Sequence, residues 1–461
     1  MNCLKHFNTP QLELIHQGKV RDSFRINDDA RMIVVTDRIS CFDKVLKSTI
    51  PYKGSVLNGI SNFWFEKTKD IIENHIIDII DPNINMVKEA HPIRIEMIVR
   101  GYLTGSMWRK YQKGKREFSG VEVTDGLKKN QRFPKPILTP TTKEESDREI
   151  TPEDIVKEGW TSEKLYSEMV KISLKLFDFG SKILEEKGII LVDTKYEFGL
   201  IEDKLILIDE IHTPDSSRFW SKENYDSNPE EAEQIDKEFV RQWLLKNKQN
   251  GEIPNILPED VIEETSKRYR EIYRIVTGNE FVKTEKIRNR IYNNLLKADK
   301  IKDGFVAIMM GSSTDLEHCK KIKSHLAKYD IFVDMRVVSA HKNGERIPGI
   351  AEVYNNSIEP GCVIAVAGRS NGLGGALAAN LVIPVINCPP FKDKIDMMTN
   401  INSSLMMPSN TPAMIVVDKS CAAQAALRCL NIRKFKESFM EDIGKIKDDL
   451  KSMDEKIRRK I

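Results

Sequence analysis

GCVIAVAGRSNGLGG, Gly361 to Gly375, sets a run of small and β-branched apolar residues against a loop of glycine and polar groups. The apolar run reads as a buried strand, and the loop opens a helix. The same arrangement occurs twice upstream. FVAIMM leads into MMGSSTDLEHC, Met309 to Cys319, and IFVDMRVVSA leads into VVSAHK, Val337 to Lys342. LVIPVINCPP supplies a further strand downstream. Strands alternating with helices predict a parallel, doubly wound sheet. Small residues let a backbone approach an anionic ligand, and helix N-termini supply free N–H groups. Three such loops in one α/β domain suggest a phosphorylated small molecule with a histidine beside it.

The chain of 461 residues is too long for one ordinary core, so two or three domains are expected. Its 40% hydrophobic and 31% charged residues suit a soluble globular protein, and no apolar run reaches membrane-spanning length. The start, MNCLKHFNTPQLELIHQGK, lacks an apolar signal core, so a cytoplasmic protein is expected. Seven scattered cysteines, without a CxxC pair, predict reduced thiols rather than a zinc site or disulfide framework. The net charge is only +3, and basic residues do not cluster with aromatics, so nucleic acid is not an expected partner.

Ser162 to Lys187 reads as a long amphipathic helix, followed by a hairpin of GIILVDTKYEFGL and LILIDEIH with IEDK as its turn. Ile235, Phe239, Val240, Trp243 and Leu244 form one apolar stripe. Pro258 opens a further helix that Gly278 stops. The expected organisation is a first domain over 1–281, a charged, partly helical linker over 282–302, and a second domain over 303–461. The tail from Ile432 carries Phe435, Phe439, Ile443, Ile446, Leu450, Met453 and Ile457 on one helical seam. Such a helix packs on another subunit or along its own domain.

In the second domain, the Ser and Thr hydroxyls of GSSTD can grip a phosphate or simply cap a helix. His341 can move protons near neutral pH or serve structure alone. Together the three loops resemble the aminoimidazole ribonucleotide carboxylase family across roughly residues 303–461. The resemblance implies a three-layer α/β/α flavodoxin-like fold. It places Gly311, Ser312, Thr314 and Asp315 at the nucleotide phosphate and ribose, with Thr314 where the family usually has Ser. Ser339 and Lys342 join the substrate site, and His341 transfers the proton at the carbon that gains the carboxylate. The loop Gly368, Arg369, Ser370 and Asn371 is similar to the animal-type branch that uses free carbon dioxide, and implies donors for the nascent carboxylate. That chemistry needs no ATP, metal or biotin. The alternative is a mutase acting on the N-carboxylated nucleotide.

In the first domain, HQGKVRD is a Gly-Lys segment that fails the Walker pattern, and EMIVRGYLTGS joins an arginine to a Gly-Ser turn. Strand alternation puts Asp193, Lys195 and Glu197 on one face, with Asp209 on the neighbouring strand. Paired carboxylates there suit Mg²⁺ bridging nucleotide phosphates, or a solvated charged hairpin. GKVRD, VRGYLTGS, VDTKYEFG and DSSRFW together resemble the phosphoribosylaminoimidazole-succinocarboxamide synthetase family across roughly residues 10–280. This implies an α+β, ATP-grasp-like fold and ATP as substrate. It implies Gly18, Lys19 and Arg21 under the ATP phosphates and Glu96 in the nucleotide cleft. Arg100, Ser106 and Arg218 hold the ribonucleotide phosphate. Lys195 faces the substrate carboxylate, and Glu197 and Asp209 bind Mg²⁺. Asp37, Arg38, Lys143 and Asp147 line the cleft. The product of the second domain is the substrate of the first, so a bifunctional enzyme of purine biosynthesis is expected, assembled as a homo-octamer through its C-terminal half. The non-enzymatic alternative is that one half is a degenerate scaffold.

Overall fold

The computed structural model describes residues 3–42, 44–144, 147–232 and 237–459. Ile235 and Ile461 lie outside the described residues. The chain divides into two compact units, Met1–Lys5 with Leu14–Ile291, and His6–Glu13 with Tyr292–Ile461.

In the first unit, β1 (Leu14–Gln17), β2 (Arg21–Arg25), β3 (Ala30–Val35), β4 (Ile76–Asp81) and β5 (Ile84–Lys88) form an antiparallel sheet in the order β1-β2-β3-β5-β4. A second antiparallel sheet contains β6 (Ile95–Tyr102), β7 (Arg132–Leu138), β8 (Ile189–Ile201), β9 (Lys204–Ile208) and β10 (Ser217–Ser221), running β7-β6-β8-β9 with β10 also on β8. β8 is its spine. Asp193 pairs with Arg100 of β6 on one side and with Arg218 of β10 on the other, while Glu197 pairs with Ile208 of β9. The β8–β9 turn is tighter than the expected IEDK. Only Glu202 and Asp203 lie in it, both left-handed (φ 48° and 61°), as a two-residue I′ hairpin requires.

The longest helices over this core are α1 (Lys53–Thr68), α2 (Glu163–Glu185) and α3 (Glu259–Thr277). Ser162 caps α2 by accepting the Leu165 N–H at 3.2 Å, and Tyr166, Met169, Ser173, Leu176, Phe177 and Leu184 bury its inner face. α3 ends at Gly278 in the left-handed conformation (φ 76°). The expected linker contains a full helix, α4 (Ile287–Lys297). Its Ile287, Ile291 and Leu295 are fully buried, an i, i+4, i+8 stripe hidden among lysines and arginines.

The second unit holds five parallel strands: β11 (Phe305–Met310), β12 (Phe332–Val337), β13 (Gly361–Val366), β14 (Val385–Asn387) and β15 (Met414–Ile415). Their order is β12-β11-β13-β14-β15, the flavodoxin-like arrangement in which the chain switches direction across the sheet between β11 and β13. Strand alternation explains the three layers. Val306, Ile308 and Met310 pack with α5 (Leu316–Leu326) and a later helix over Lys419–Leu430, whereas Phe305, Ala307 and Met309 face α6 (Ile347–Asn355) and α7 (Gly372–Asn380). The last helix, Arg433–Arg458, seats only its first turns. Phe435 and Phe439 are buried, but Ile446, Leu450 and Ile457 are each about 60% exposed.

Residues 6–13 complete the second unit. Asn8 bridges to Ser357, Thr9 Oγ1 donates to Glu359 at 2.5 Å, and Gln11 exchanges hydrogen bonds with the Lys302 backbone at 2.7 and 3.0 Å. Among the described residues, no helix is long and apolar enough to cross a membrane.

His212 shows how the first core depends on protonation. It is fully buried, its Nε2 lies 2.6 Å from the Tyr196 hydroxyl, and its ring meets Trp64 edge-on at 4.8 Å. Burial pushes its pKa down to about 3, and that of buried His75 to about 4. Both depressed values mean that the native state keeps neutral rings while the unfolded chain takes up protons below pH 6.5. Stability is therefore fully present above pH 6.5 and falls as pH drops, by about 1.4 kcal/mol per pH unit for each histidine. All five tryptophans lie before residue 292, so tryptophan fluorescence reports this unit alone. Urea unfolding followed that way is expected to be less acid-sensitive between pH 6.5 and 4.5 in His212→Gln than in the wild type; equal slopes contradict it.

Candidate active sites

The face of β8 carries three charged groups at alternate positions. Asp193 Oδ2 receives Arg100 and Arg218, each at 3.2 Å. Arg100 also donates from Nε to Thr139 at 2.8 Å. Gly105, at φ 59°, touches this group so closely that an added Cβ would stand 1.9 Å from the Arg218 guanidinium. Only glycine serves there, for space and for backbone angle. Ser106 follows in the first turn of the helix Gly105–Gln112.

Two residues along β8, Lys195 bridges Glu96 at 2.8 Å and Glu197 at 3.0 Å. Burial acts to lower its pKa, but Glu197, Asp209 and Glu96 outweigh it and raise it well above the ordinary value. Lys195 is therefore a fixed cation and not a proton carrier. Glu197 also accepts from Lys143 and is in contact with Asp209. Burial first, and then Asp209, raise Glu197, which the two lysines only partly offset. Asp209 goes the other way. Burial would raise it, but Arg21, Lys195 and Lys143 hold it well below the carboxylate range. Asp209 is also left-handed (φ 65°), a backbone state that turns its carboxylate out of the β9 ladder. Four carboxylates, Glu96, Glu197, Asp209 and Glu210, thus meet three cations, Lys143, Lys195 and Arg21. Among the described residues, no three acidic, histidine or cysteine side chains converge as a ready-made metal cage.

Several expected residues have other partners. Arg21 donates to Asp209 at 3.3 Å and to Glu210, so its charge is already matched inside the protein. Arg38 is a brace. Its guanidinium holds Asp22 with two bonds of 2.6 and 3.0 Å and the carbonyls of Lys5, Gly18 and Lys19 with three more of 3.0 to 3.1 Å. Those five donors shape the Gly18–Lys19 turn and leave none for a ligand. Asp37 accepts from Leu4 N–H at 2.7 Å and from Gly54 N–H at 2.9 Å, in the first turn of α1. Asp37 and Arg38 therefore support the cleft from behind rather than line it. Lys19 stands exposed at the tip of its turn, and Asp147 is exposed just after residues 145 and 146, which lie outside the described residues.

Sequence reasoning overlooked Glu210, Lys53, Asp215 and Arg241. Lys53 is fully buried and ion-paired to Asp215 at 2.7 Å, and Asp215 also accepts from Tyr269 at 3.2 Å. Arg100, Asp193, Lys195, Asp215, Arg218 and Arg241 line one cavity of about 210 Å³. Glu210 adjoins Asp209 and could have been considered with it. Arg241 sits in an amphipathic helix and Lys53 at the start of a largely buried one, with no local signal.

In the second unit, the three loops leave the carboxyl ends of β11, β12 and β13, where an open α/β sheet receives ligands. Ser312 Oγ accepts the Thr314 N–H at 3.3 Å and its hydroxyl at 2.9 Å, which folds Gly311–Asp315 into one turn ahead of α5. Burial raises the Asp315 carboxyl. Ser339 donates its backbone N–H to the Asn343 side-chain Oδ1 at 2.7 Å, and Lys342 N–H returns to the Ser339 carbonyl at 3.3 Å. This turn lays His341 on the neighbouring loop. A Cβ on Gly372 would stand 2.8 Å from His341 Cε1 and 3.0 Å from Nε2.

The third loop is pinned from below. Arg369 is left-handed (φ 58°) and its N–H donates to Asn400 at 2.6 Å. Asn371 is buried, and its amide donates to Asn387 at 2.9 Å and Ser404 at 2.7 Å while accepting the Gly374 N–H at 3.2 Å. Its expected role as a donor to a carboxylate does not fit, because both amide protons are spent on the loop's own support. Gly368, Arg369 and Ser370 remain at the rim. Asn343, Asn387, Asn400, Ser403 and Ser404 are the supports that sequence reasoning did not find.

Residues 14–255 match the family model described as SAICAR synthetase, and residues 305–453 match that described as AIR carboxylase. The chain belongs to the SAICAR synthetase family. It is 43% identical over 304 residues to the phosphoribosylaminoimidazole-succinocarboxamide synthase of Flavobacterium psychrophilum, an alignment covering 63% of this chain and 96% of that one. The enzyme of the same name from Bacteroides fragilis is 44% identical over 302 residues, with the same coverage. A solved SAICAR synthase of Saccharomyces cerevisiae, complexed with SAICAR, superimposes with a TM-score of 0.56 at 34% identity, over 61% of this chain and all of that one. One chain thus joins a SAICAR synthetase domain to an AIR carboxylase domain, making it a bifunctional purine-biosynthesis enzyme with ligase and lyase-type activities. Gly372→Ala tests the second site directly. The added methyl displaces His341, so carboxylase-domain activity is expected to fall about tenfold or more while ligase turnover is unchanged. Full retention of both activities means that the His341–Gly372 contact has no functional role.

Proposed function

We propose that the N-terminal domain ligates 4-carboxy-5-aminoimidazole ribonucleotide to L-aspartate with ATP, giving SAICAR, ADP and phosphate. The C-terminal domain supplies that ribonucleotide by carboxylating 5-aminoimidazole ribonucleotide with carbon dioxide. The observation that carries the ligase reading is the alternation along β8. A strand advances about 7 Å per two residues. The Arg100–Asp193–Arg218 anion grip, the Lys195 cation and the Glu197–Asp209 carboxylate pair therefore follow one another at the scale of a nucleotide. Arg100 and Arg218 bind the 5′-phosphate, and Ser106 assists from the helix N-terminus. Lys195, held permanently charged, orients the ring carboxylate and offsets its charge as ATP phosphorylates it. Aspartate's amine then displaces the phosphate. The Gly18–Lys19 turn, braced by Arg38, faces the nucleotide phosphates.

The carboxylate pair suits a divalent cation, since Glu197 and Asp209 bring hard oxygen donors into contact. Glu197 and Asp209 would hold Mg²⁺, which neutralises nucleotide phosphate charge when bound. In the C-terminal domain, Ser312, Thr314 and the first N–H groups of α5 hold the phosphate, and Lys342 adds a point charge. The electron-rich ring carbon attacks carbon dioxide, and His341 takes the proton that this carbon loses. Arg369 and Ser370 stand at the rim to receive the new carboxylate.

Purified protein given aminoimidazole ribonucleotide, bicarbonate, aspartate and MgATP is expected to form SAICAR. Without ATP it stops at the carboxylated ribonucleotide. Glu197→Gln is expected to lower ligase turnover about 100-fold or more at saturating Mg²⁺ and to leave carboxylation intact. His341→Asn should do the reverse, because Asn cannot carry a proton. Carboxylation that requires the N-carboxylated nucleotide would instead establish a mutase, and loss of neither activity in either variant would refute the residue assignments.

The same proposal includes a cytoplasmic setting and a homo-oligomer, an octamer, formed through the C-terminal domain. The support for assembly is the last helix, whose apolar residues beyond Phe439 stand in solvent although each buried side chain of this kind contributes roughly 1.5–3 kcal/mol. Light scattering on the intact chain is expected to give a multiple of its 52.9 kDa mass. Deleting 440–459 should dissociate it, and a monomer at micromolar concentration with full carboxylase activity is incompatible with this architecture.

A further inference from the structure

Arg241 lies on the helix Lys237–Lys246, which sequence reasoning treated only as packing. Val240 and Leu244, one turn apart, are fully buried and fix the helix on the core. The next position along, rotated by about 100°, is turned toward the cavity beside β8. Arg241 lines that cavity together with Arg100, Asp193 and Arg218. Its guanidinium lies 6.0 Å from the Phe42 ring, and its Nε is buried with no hydrogen-bond partner. A buried, unpaired donor on a cation is costly unless a ligand completes it.

Charge says what that ligand is. Three guanidinium groups face the cavity. Asp193 offsets one of them, and Asp215 is already neutralised by Lys53. Lys195 and Lys143 are matched by Glu96 and Glu197. Two positive charges therefore remain, the complement of a phosphate monoester, which carries about −1.5 to −2 near neutral pH.

We propose that Arg241 is a third phosphate-binding arginine of the ligase site, donating its Nε–H to the 5′-phosphate of the ribonucleotide and setting the enzyme's preference for nucleotide over nucleoside. This rests on the ligase reading above. Aspartate, with its two carboxylates, is the competing anion, and the separate KM values for the two substrates distinguish it from the phosphate.

The test uses the full chain. Arg241→Gln is expected to raise KM for the carboxylated ribonucleotide about tenfold or more, with KM for aspartate and for ATP within about twofold. Arg241→Lys, which keeps the charge without the Nε–H, should fall between. Inorganic phosphate is expected to compete with the ribonucleotide in the wild type and to compete at least about fivefold more weakly in Arg241→Gln. The phosphate-free nucleoside should be used with equal efficiency by both proteins. Tryptophan fluorescence checks that the variants fold, and phosphate competition in the wild type needs no variant. A rise in KM for aspartate alone would place Arg241 at the amino acid and overturn the proposal, as would unchanged constants throughout or no phosphate competition. Absence of SAICAR formation by the wild type would instead overturn the ligase reading itself.

Discussion

Everything in the N-terminal site depends on the half-buried ammonium of Lys195. Glu96 and Glu197 converge on it from two strands, and neither carboxylate is open enough to be hydrated freely. Buried charges of one sign are tolerated only when a partner of the other sign is held between them. Lys195 is that partner, and Lys143 and Arg21 repeat the arrangement around Glu197 and Asp209. The site is thus an alternating lattice of charge laid on a sheet. Such a lattice costs stability to build, and its value lies in presenting oriented charges where substrate groups arrive.

The C-terminal site is built on another principle. Few of its supports are charged. Asparagine and serine side chains, Asn343, Asn371, Asn387, Asn400 and Ser404, hold three loops by hydrogen bonds to backbone and to one another. Neutral donors fix loop shape without setting a field of their own. The loop tips remain available to a phosphate and a carboxylate, and His341 is placed by contact with a glycine rather than by an ion pair.

Much of this was legible in the residues. Strand alternation put Asp193, Lys195 and Glu197 on one face, and the cross-strand partners obey it. The parallel sheet followed from four apolar runs and the loops behind them. Other features left no local trace. Arg38 and Arg218 look alike as letters, yet one spends its five donors on Asp22 and three backbone carbonyls and the other faces a cavity. What separates them is long-range pairing, Arg38 with Asp22 and Arg218 with Asp193, which no short motif encodes. The helix Ile287–Lys297 reads only as part of a partly helical linker, because its apolar stripe of Ile287, Ile291 and Leu295 is interspersed with arginine, asparagine and lysine. The segment 6–13 precedes the first domain in the chain but completes the second unit, and only a bridge to Ser357 and a bond to Glu359 reveal it.

β8 also restricts the kinds of genetic change that the protein can absorb. Its side chains alternate between two faces, and from Asp193 onward both of its edges are paired in register, with Arg100, Arg218 and Ile208 among the partners and one irregularity between Leu191 and Asp193. The two-residue turn at Glu202 and Asp203 leaves no slack to take up an extra residue. A codon inserted or deleted between Asp193 and Glu197 would send everything beyond it to the opposite side of the sheet. Carboxylates would then face the hydrophobic core, and apolar neighbours would face the substrates. Substitutions along this strand can be graded in their effect, but a shift in length is all or nothing, so its thirteen residues, Ile189 to Ile201, behave as an indivisible ruler for the site.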